Sequence, residues 1–203
     1  ILYYAPQGWA SDDTDAAERV KIQYGTTMCY PVSSIGSHVS VVPNHQLNRR
    51  TPLHTRANVA YFGTFGYELD LNKLSDEEIS EVKQQITFMK EYRELIQFGT
   101  FYRLKSPFEG NETAWMTVSE DKKTALVFWY RERNVVNADF TRVRLQGLDP
   151  DFIYKNKYNG TENYGDELMN LGLLTTDCTA GEPTAEEVPC TDYESRIYVL
   201  TVE

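Results

Sequence analysis

The hydrophobic pattern of this chain changes character near residue 100. Residues 1–98 alternate between strand-like apolar runs and stretches with helical spacing, which predicts an α/β region. Beyond residue 100, short apolar runs at 114–118, 125–130 and 197–199 are separated by turn signals, which predicts an antiparallel sheet or sandwich without helices. We therefore expect an α/β region joined, near residues 99–106, to an all-β region.

Several individual elements follow from the same pattern. Residues 1–4 are fully apolar, which predicts a strand covered on both faces and hence a chain that belongs to something longer. A second strand is predicted over residues 39–42, and helices are predicted over 14–24, 52–60 and 75–98. The last helix has the clearest signals, because Ser75 and Glu78 form a capping box and Gly99 follows its apolar stripe.

Charge and composition exclude several kinds of partner. The 203 residues contain 20 Lys and Arg against 30 Asp and Glu, a formal net charge of −10. An acidic surface repels phosphate, so neither nucleic acid nor an anionic membrane surface is an expected partner. No apolar run is long enough to span a bilayer. Neither a phosphate-binding glycine pattern nor a zinc spacing among His38, His45 and His54 is present, so we predict no cofactor and no metal.

The densest signal for a functional site lies in the loop before the first predicted helix. Trp9 is followed there by three carboxylates, Asp12, Asp13 and Asp15. An aromatic ring beside carboxylates suits a sugar, since the ring packs on apolar sugar faces while the acids accept hydroxyl hydrogens. The alternative is that Ser11 or one aspartate caps the helix, and that the other acids interact favourably with the helix dipole.

The cysteines and the glycosylation sequons bear on the compartment. Cys178 and Cys190 flank a loop rich in Thr, Glu and Pro, and a disulfide between them would stabilise the fold by roughly 3 kcal/mol in an oxidising compartment. The alternative is that these two and Cys29 are unrelated thiols. Asn111 and Asn159 begin sequons in predicted turns, which makes them glycosylation sites if the protein is secreted.

A series of short motifs in a fixed order connects the chain to a known family. They are Tyr4-Ala5-Pro6-Gln7, Ser11-Asp12-Asp13-Thr14-Asp15-Ala16, Pro43-Asn44-His45-Gln46 and Phe65-Gly66-Tyr67-Glu68-Leu69-Asp70. Together they resemble family 36 α-galactosidases, most specifically over residues 1–113. The resemblance implies that residues 1–99 are the last part of a (β/α)8 barrel and that residues 100–203 are a C-terminal antiparallel β-sandwich domain.

The resemblance also implies an activity and roles for three residues. The family hydrolyses terminal α-linked galactose from oligosaccharides such as melibiose and raffinose, with retention of configuration. Asp12 aligns with the family's acid/base, and Trp9 and Asp13 are expected in the substrate pocket, with Asp13 as the second catalytic candidate. The family's nucleophile lies in a Lys-Trp-Asp motif that these residues do not contain. The chain alone is therefore expected to be inactive and to require the rest of the barrel and an N-terminal domain.

Further expectations and alternatives remain open at this point. The resemblance suggests a homo-oligomer, and the loop over residues 176–190 suggests a secreted, fungal-type member. One alternative is that the chain is a non-catalytic structural or assembly module. It could also belong to a related α-N-acetylgalactosaminidase or galactosyl transferase.

Overall fold

The chain divides into two compact units, Ile1–Gly99 and Thr100–Glu203. The computed structural model describes residues 3–136, 140–175 and 192–202. In the first unit the helices are α1 (Ala16–Thr26), α2 (Leu53–Ala60) and α3 (Asp76–Phe98), and the strands are β1 (Gly36–Ser40) and β2 (Thr64–Glu68). Two single-turn 3-10 helices, Val32–Ser34 and Leu71–Lys73, lie between these elements.

Three extended segments of the first unit run parallel to one another. β1 and β2 pair in parallel, with Gly36 opposite Thr64. Gly8 forms a parallel bridge with Ile35, at the start of β1. Since α1 and α2 connect these three segments, the first unit alternates strand and helix in the way that the sequence predicts.

Two buried polar side chains attach α1 to its neighbours. Arg19 donates from Nη2 to the carbonyl oxygen of Gly36 at 2.6 Å. The amide of Gln23 accepts from the Ser37 hydroxyl at 2.7 Å and donates to the carbonyl oxygen of Val59 at 2.9 Å. Because buried polar groups need partners, these bonds fix the position of α1 against β1 and α2.

The predicted capping box of α3 is present. Ser75 Oγ accepts the backbone N–H of Glu78 at 3.2 Å, and Glu78 Oε2 accepts the backbone N–H of Ser75 at 2.9 Å. Two of the helix's unpaired N–H groups are thereby satisfied, which explains why α3 starts sharply at Asp76.

We expect Ser75→Ala to lower the free energy of unfolding by about 1 kcal/mol, because the first turn of α3 loses its acceptor. The measurement is the urea-induced unfolding midpoint. Ser80→Ala is the matched control, since Ser80 is an exposed serine inside the same helix. An equal loss of unfolding free energy in both variants would show that the Ser75 cap contributes nothing to stability.

The second unit is built around antiparallel sheets. Its strands are β3 (Thr100–Lys105), β4 (Glu112–Val118), β5 (Thr124–Arg131), β6 (Arg142–Val143), β7 (Ile153–Asn156), β8 (Glu162–Tyr164), β9 (Leu173–Leu174) and β10 (Glu194–Val202), and its helix is α4 (Gly165–Asn170). Six strands form one antiparallel sheet in the order β3-β4-β5-β10-β7-β8. β6 and β9 form a separate two-stranded sheet.

One face of the large sheet forms the core of this unit. Alternate residues of β4, β5 and β10 are fully buried on that face: Ala114, Met116, Val127, Trp129, Tyr198 and Leu200. They pack against side chains from the segment between β5 and β10: Val143, Leu145, Leu148, Leu168 and Leu173. The opposite face of β4 and β5 is covered too, because every residue of 113–118 and 125–131 is buried and Trp115 stacks on Phe128 there.

A buried ion-pair network joins β5 to β10. Glu194 lies opposite Arg131 in the register, and its Oε2 accepts from Arg131 Nη2 at 2.5 Å. Its Oε1 accepts from Arg196 Nη2 at 2.6 Å. The three side chains are nearly inaccessible to solvent, so one carboxylate holds two buried guanidinium groups.

Some predicted elements are wrong or displaced. Tyr3 and Tyr4, predicted in a strand over residues 1–4, lie in a turn and are 91% and 88% exposed, and no strand among the described residues pairs with them. The strand predicted over 39–42 is instead Gly36–Ser40, because Val41 is exposed while the small and polar residues before it are covered. The helix α4 lies in the region predicted to have none.

Candidate functional site

The candidate site lies where the parallel segments of the first unit end. Trp9 follows the Gly8 bridge, His38 lies on β1, and Glu68 is the last residue of β2. The loop over residues 9–15 then leads into α1. Ligand sites of parallel α/β structures form at the carboxyl ends of strands and in the loops that follow them, so this is where a site is expected.

Asp15 has a structural role. Its Oδ1 accepts the backbone N–H groups of Ala17 and Glu18 at 3.1 and 3.2 Å, so it is the N-cap of α1. It also forms an ion pair with Arg49, and only 2% of the residue is exposed. The capping interpretation of the acidic loop is therefore correct for this carboxylate.

Asp13 is partly engaged by the loop backbone. Its Oδ1 accepts the N–H of Asp15 at 2.9 Å, and its own N–H donates to Ser11 Oγ at 3.1 Å. The side chain also contributes to the electrostatics of Arg19: burial lowers the pKa of Arg19, and the negative charges of Asp13 and Glu68 oppose that shift. Asp13 and Glu68 thus help to keep a buried cation at this site charged.

Asp12 is the carboxylate that projects to solvent. The residue is exposed, and its Oδ1 accepts the indole N–H of Trp9 at 3.1 Å. Trp9 is 42% exposed, so the bond lies at the rim of the site. Of the three loop aspartates, Asp12 is the most exposed, Asp13 is partly buried and Asp15 is buried.

The indole of Trp9 packs against two further side chains. The imidazole of His38 lies with its ring centroid 4.8 Å away, tilted by 38°. The guanidinium carbon of Arg19 lies 5.3 Å from the indole centroid, and Arg19 Nη1 donates to the carbonyl oxygen of Ser11 at 3.2 Å. At Gly36, a Cβ would lie 2.9 Å from Trp9 Cε3, so the close approach of the indole to β1 requires glycine.

His38 and Glu68 are brought together by the parallel pairing of their strands. His38 Nδ1 lies 3.8 Å from Glu68 Oε2. In the sequence, His38 is notable only for lacking a zinc spacing with the other histidines, and neither Glu68 nor Arg19 has a predicted role. The alternation of residues along β1 and β2 is the sequence signal that could have placed His38 and Glu68 on one face of the sheet, since residues two apart on a strand lie on the same face.

The remaining predicted sites are placed as follows. His45 and His54 are exposed, and no group of three metal-binding side chains occurs in the described ranges. Asn111 and Asn159 are exposed, and glycosylation of either one stays a prediction. The amide of Asn111 exchanges two hydrogen bonds with the backbone of Arg133.

Cys178 and Cys190 lie outside the described residues, so their disulfide stays a prediction. Cys29 is exposed and is not disulfide-bonded. Within the ranges described, no helix combines the length and the apolar character that crossing a bilayer requires.

Comparison with known families covers nearly the whole chain. The profile of the melibiase family matches residues 1–99, and that of the glycosyl hydrolase family 36 C-terminal domain matches residues 112–200. The chain belongs to glycoside hydrolase family 36. The resemblance that the ordered motifs carry is therefore confirmed.

Curated members of family 36 are similar to this chain over most of its length. The α-galactosidase AgaA of Geobacillus stearothermophilus is 54% identical over 173 residues, which are 85% of this chain and 24% of that protein. The α-galactosidase Mel36A of Lactobacillus acidophilus is 52% identical over 171 residues, 84% of this chain and 23% of that protein. The chain thus spans about a quarter of the length of these relatives.

Solved structures of family 36 members show the same fold. A variant of AgaA from Geobacillus stearothermophilus in complex with raffinose superposes on the chain with a TM-score of 0.91 and 46% identity. The superposition covers 100% of this chain and 26% of that one. The fold of the described residues is therefore that of a family 36 α-galactosidase over the matched quarter.

Proposed function

We propose that this chain is the acid/base-bearing portion of a retaining α-galactosidase that removes terminal α-linked galactose from oligosaccharides such as melibiose and raffinose. The observation that carries the proposal is the exposed carboxylate of Asp12, which accepts the Trp9 indole N–H at the carboxyl ends of parallel strands. The raffinose complex of a relative with the same fold supports the substrate class.

The proposal includes an architecture for the complete protein. The order of parallel segments and helices in Ile1–Gly99 supports its assignment as the last part of a (β/α)8 barrel. The two-layered packing of the six-stranded sheet supports an antiparallel β-sandwich domain in Thr100–Glu203. The remainder of the barrel and an N-terminal domain then come from sequence that these 203 residues do not include.

In the proposed reaction, Asp12 transfers a proton twice. It first protonates the glycosidic oxygen while a carboxylate from the remainder of the barrel attacks the anomeric carbon of galactose. The C–O bond to the leaving group breaks, and a galactosyl ester forms. Asp12, now ionised, then takes a proton from the water that hydrolyses this ester. Two displacements give retention, and they require the two carboxyl groups to lie about 5 Å apart.

The geometry assigns different tasks to the two oxygens of Asp12. Oδ1 is held by Trp9 Nε1 at 3.1 Å, so we assign proton transfer to Oδ2. A donor to one oxygen fixes the orientation of the carboxylate without occupying the other oxygen. Trp9 and Asp13 remain substrate-binding candidates, and Asp12 is favoured over Asp13 as the acid/base because it aligns with the family's acid/base and is exposed, whereas Asp13 is partly buried.

The test is to follow hydrolysis of raffinose and melibiose by the complete protein with 1H NMR, from the first minutes. We expect the α-anomer of galactose to appear first, since two displacements retain the configuration. The β-anomer appearing first would contradict retention. Cleavage restricted to N-acetylgalactosaminides, or transfer of galactose without hydrolysis, would support one of the related activities. No turnover at all would support a non-catalytic module.

Three further features of the complete protein are part of this proposal. The 203 residues alone are expected to be inactive, since they contain no Lys-Trp-Asp motif to supply the nucleophile. Homo-oligomerisation follows from the family resemblance. Secretion follows from the predicted cysteine-bridged loop and the sequons.

A further inference from the structure

We propose that His38 is a positioning residue for Asp12 and acts through the indole of Trp9. The inference rests on the proposed function, because it concerns the same proton transfer. It assigns to β1 the task of fixing the orientation of a carboxylate that lies in the preceding loop.

The first step is the dependence of Asp12 on the indole. Asp12 and Trp9 both lie in an irregular, largely exposed loop, and the bond between Asp12 Oδ1 and Trp9 Nε1 joins them at 3.1 Å. A loop of this kind does not fix side-chain rotamers by itself. The direction of the Asp12 carboxyl group is therefore set by whatever holds the indole in place.

The second step is that His38 holds the indole. Its ring lies 4.8 Å from the indole, centroid to centroid, and it belongs to the regular strand β1. Arg19 contacts the same indole, but its guanidinium is also bonded to the carbonyl oxygens of Ser11 and Gly36. His38 thus supplies the side-chain contact from β1 to Trp9, beside the close approach of the Gly36 backbone on the same strand.

The third step is that β2 holds His38. Gly66 lies opposite His38 in the parallel register, and a Cβ at Gly66 would lie 2.8 Å from His38 Cδ2. The carboxylate of Glu68 lies 3.8 Å from Nδ1, which is buried and makes no hydrogen bond to the described part of the chain. The imidazole therefore fits between β2 and the indole, in a space that glycine keeps open.

The arrangement predicts how loss of His38 differs from a general loss of structure. Displacement of the acid affects the step that needs a proton, since a misplacement of about 1 Å costs up to about 100-fold in rate. Cleavage of a bond whose leaving group departs as a stable anion needs no proton. Comparing raffinose with 2,4-dinitrophenyl α-galactoside therefore separates positioning from folding.

The experiment measures kcat/KM of the complete enzyme on both substrates for His38→Ala, Gly66→Ala and His38→Phe. For His38→Ala and Gly66→Ala we expect raffinose cleavage to fall about 10- to 100-fold. We expect the aryl galactoside value to change by less than about 2-fold, because that substrate needs no general acid. His38→Phe keeps a ring against the indole and is expected to retain raffinose cleavage. His54→Ala, an exposed histidine on α2, is the matched control.

Two results would overturn the inference. One is an equal loss on both substrates, which would assign His38 to the fold alone. The other is unchanged raffinose cleavage in both His38→Ala and Gly66→Ala. Including Asp12→Ala distinguishes this failure from that of the proposed function. If Asp12→Ala loses raffinose cleavage while the His38 variants do not, only the positioning role fails. If Asp12→Ala keeps raffinose cleavage, the acid/base assignment of the proposed function fails.

Discussion

Replacing Asp12 with alanine in the complete enzyme is expected to lower kcat/KM for raffinose by about 10²- to 10⁴-fold, the usual contribution of a general acid. The sugar that departs from raffinose is a poor leaving group as an alkoxide, so breaking the glycosidic bond requires a proton on the glycosidic oxygen. The exposed carboxylate of Asp12 is the proposed source of that proton. The measurement is initial-rate kinetics on raffinose.

A second substrate and an added nucleophile make this prediction specific. The kcat/KM of Asp12→Ala for 2,4-dinitrophenyl α-galactoside is expected to stay near that of the unmodified enzyme, since its leaving group needs no protonation. Hydrolysis of the galactosyl ester then lacks its base. Azide, which attacks without a base, is therefore expected to raise kcat and to give α-galactosyl azide with retained configuration.

Two other aspartates complete the design. Asp166→Ala is the control, because Asp166 is exposed on α4 in the second unit. Asp13→Ala tests the neighbouring carboxylate: if it alone shows loss on raffinose with azide rescue, the acid/base is Asp13. Near-normal raffinose cleavage by Asp12→Ala would remove Asp12 from the mechanism.

Elements with strong local signals could be predicted from the sequence, and elements that depend on distant neighbours could not. The helix α3 combines a capping box with a long apolar stripe, β4 carries alternating apolar residues before a turn, and β5 is a continuous apolar run after that turn. Each is therefore specified by its own residues. The short helix α4 buries little besides Leu168 and forms through tertiary contacts. Tyr3 and Tyr4 are strand-like residues that no described strand pairs with.

The site divides in the same way. The loop with Trp9 and Asp12 is visible in the sequence because its residues are adjacent, and the family resemblance gave Asp12 its proposed role. The packing of His38 on Trp9 and the approach of Glu68 depend on the register of strands that are separated by whole helices. Hydrophobic periodicity predicts that such strands exist, but it does not specify which residues lie opposite one another.

Glu194→Ala is expected to destabilise the second unit by about 3–5 kcal/mol, the usual result of removing one partner of a buried ion pair. Glu194 accepts from Arg131 and Arg196, and both guanidinium carbons lie 5.6 Å from the centroid of the fully buried Trp129 ring. The variant leaves two buried positive charges without the carboxylate between them. The measurement is hydrogen–deuterium exchange of the β5 and β10 amides in the complete protein, with the thermal unfolding midpoint.

The size of this effect depends on burial, and a second carboxylate of the same sheet shows why. Glu162 Oε1 lies 4.0 Å from Lys155 Nζ, and more than half of the Glu162 side chain is exposed. Water screens such a pair, so Glu162→Ala is expected to cost less than about 1 kcal/mol. Glu194→Gln keeps the shape and loses the charge, so faster exchange in that variant as well would assign the stability to charge neutralisation. Equal exchange in Glu194→Ala and Glu162→Ala would contradict the prediction, because the carboxylate of Glu194 would then contribute no more than an exposed one.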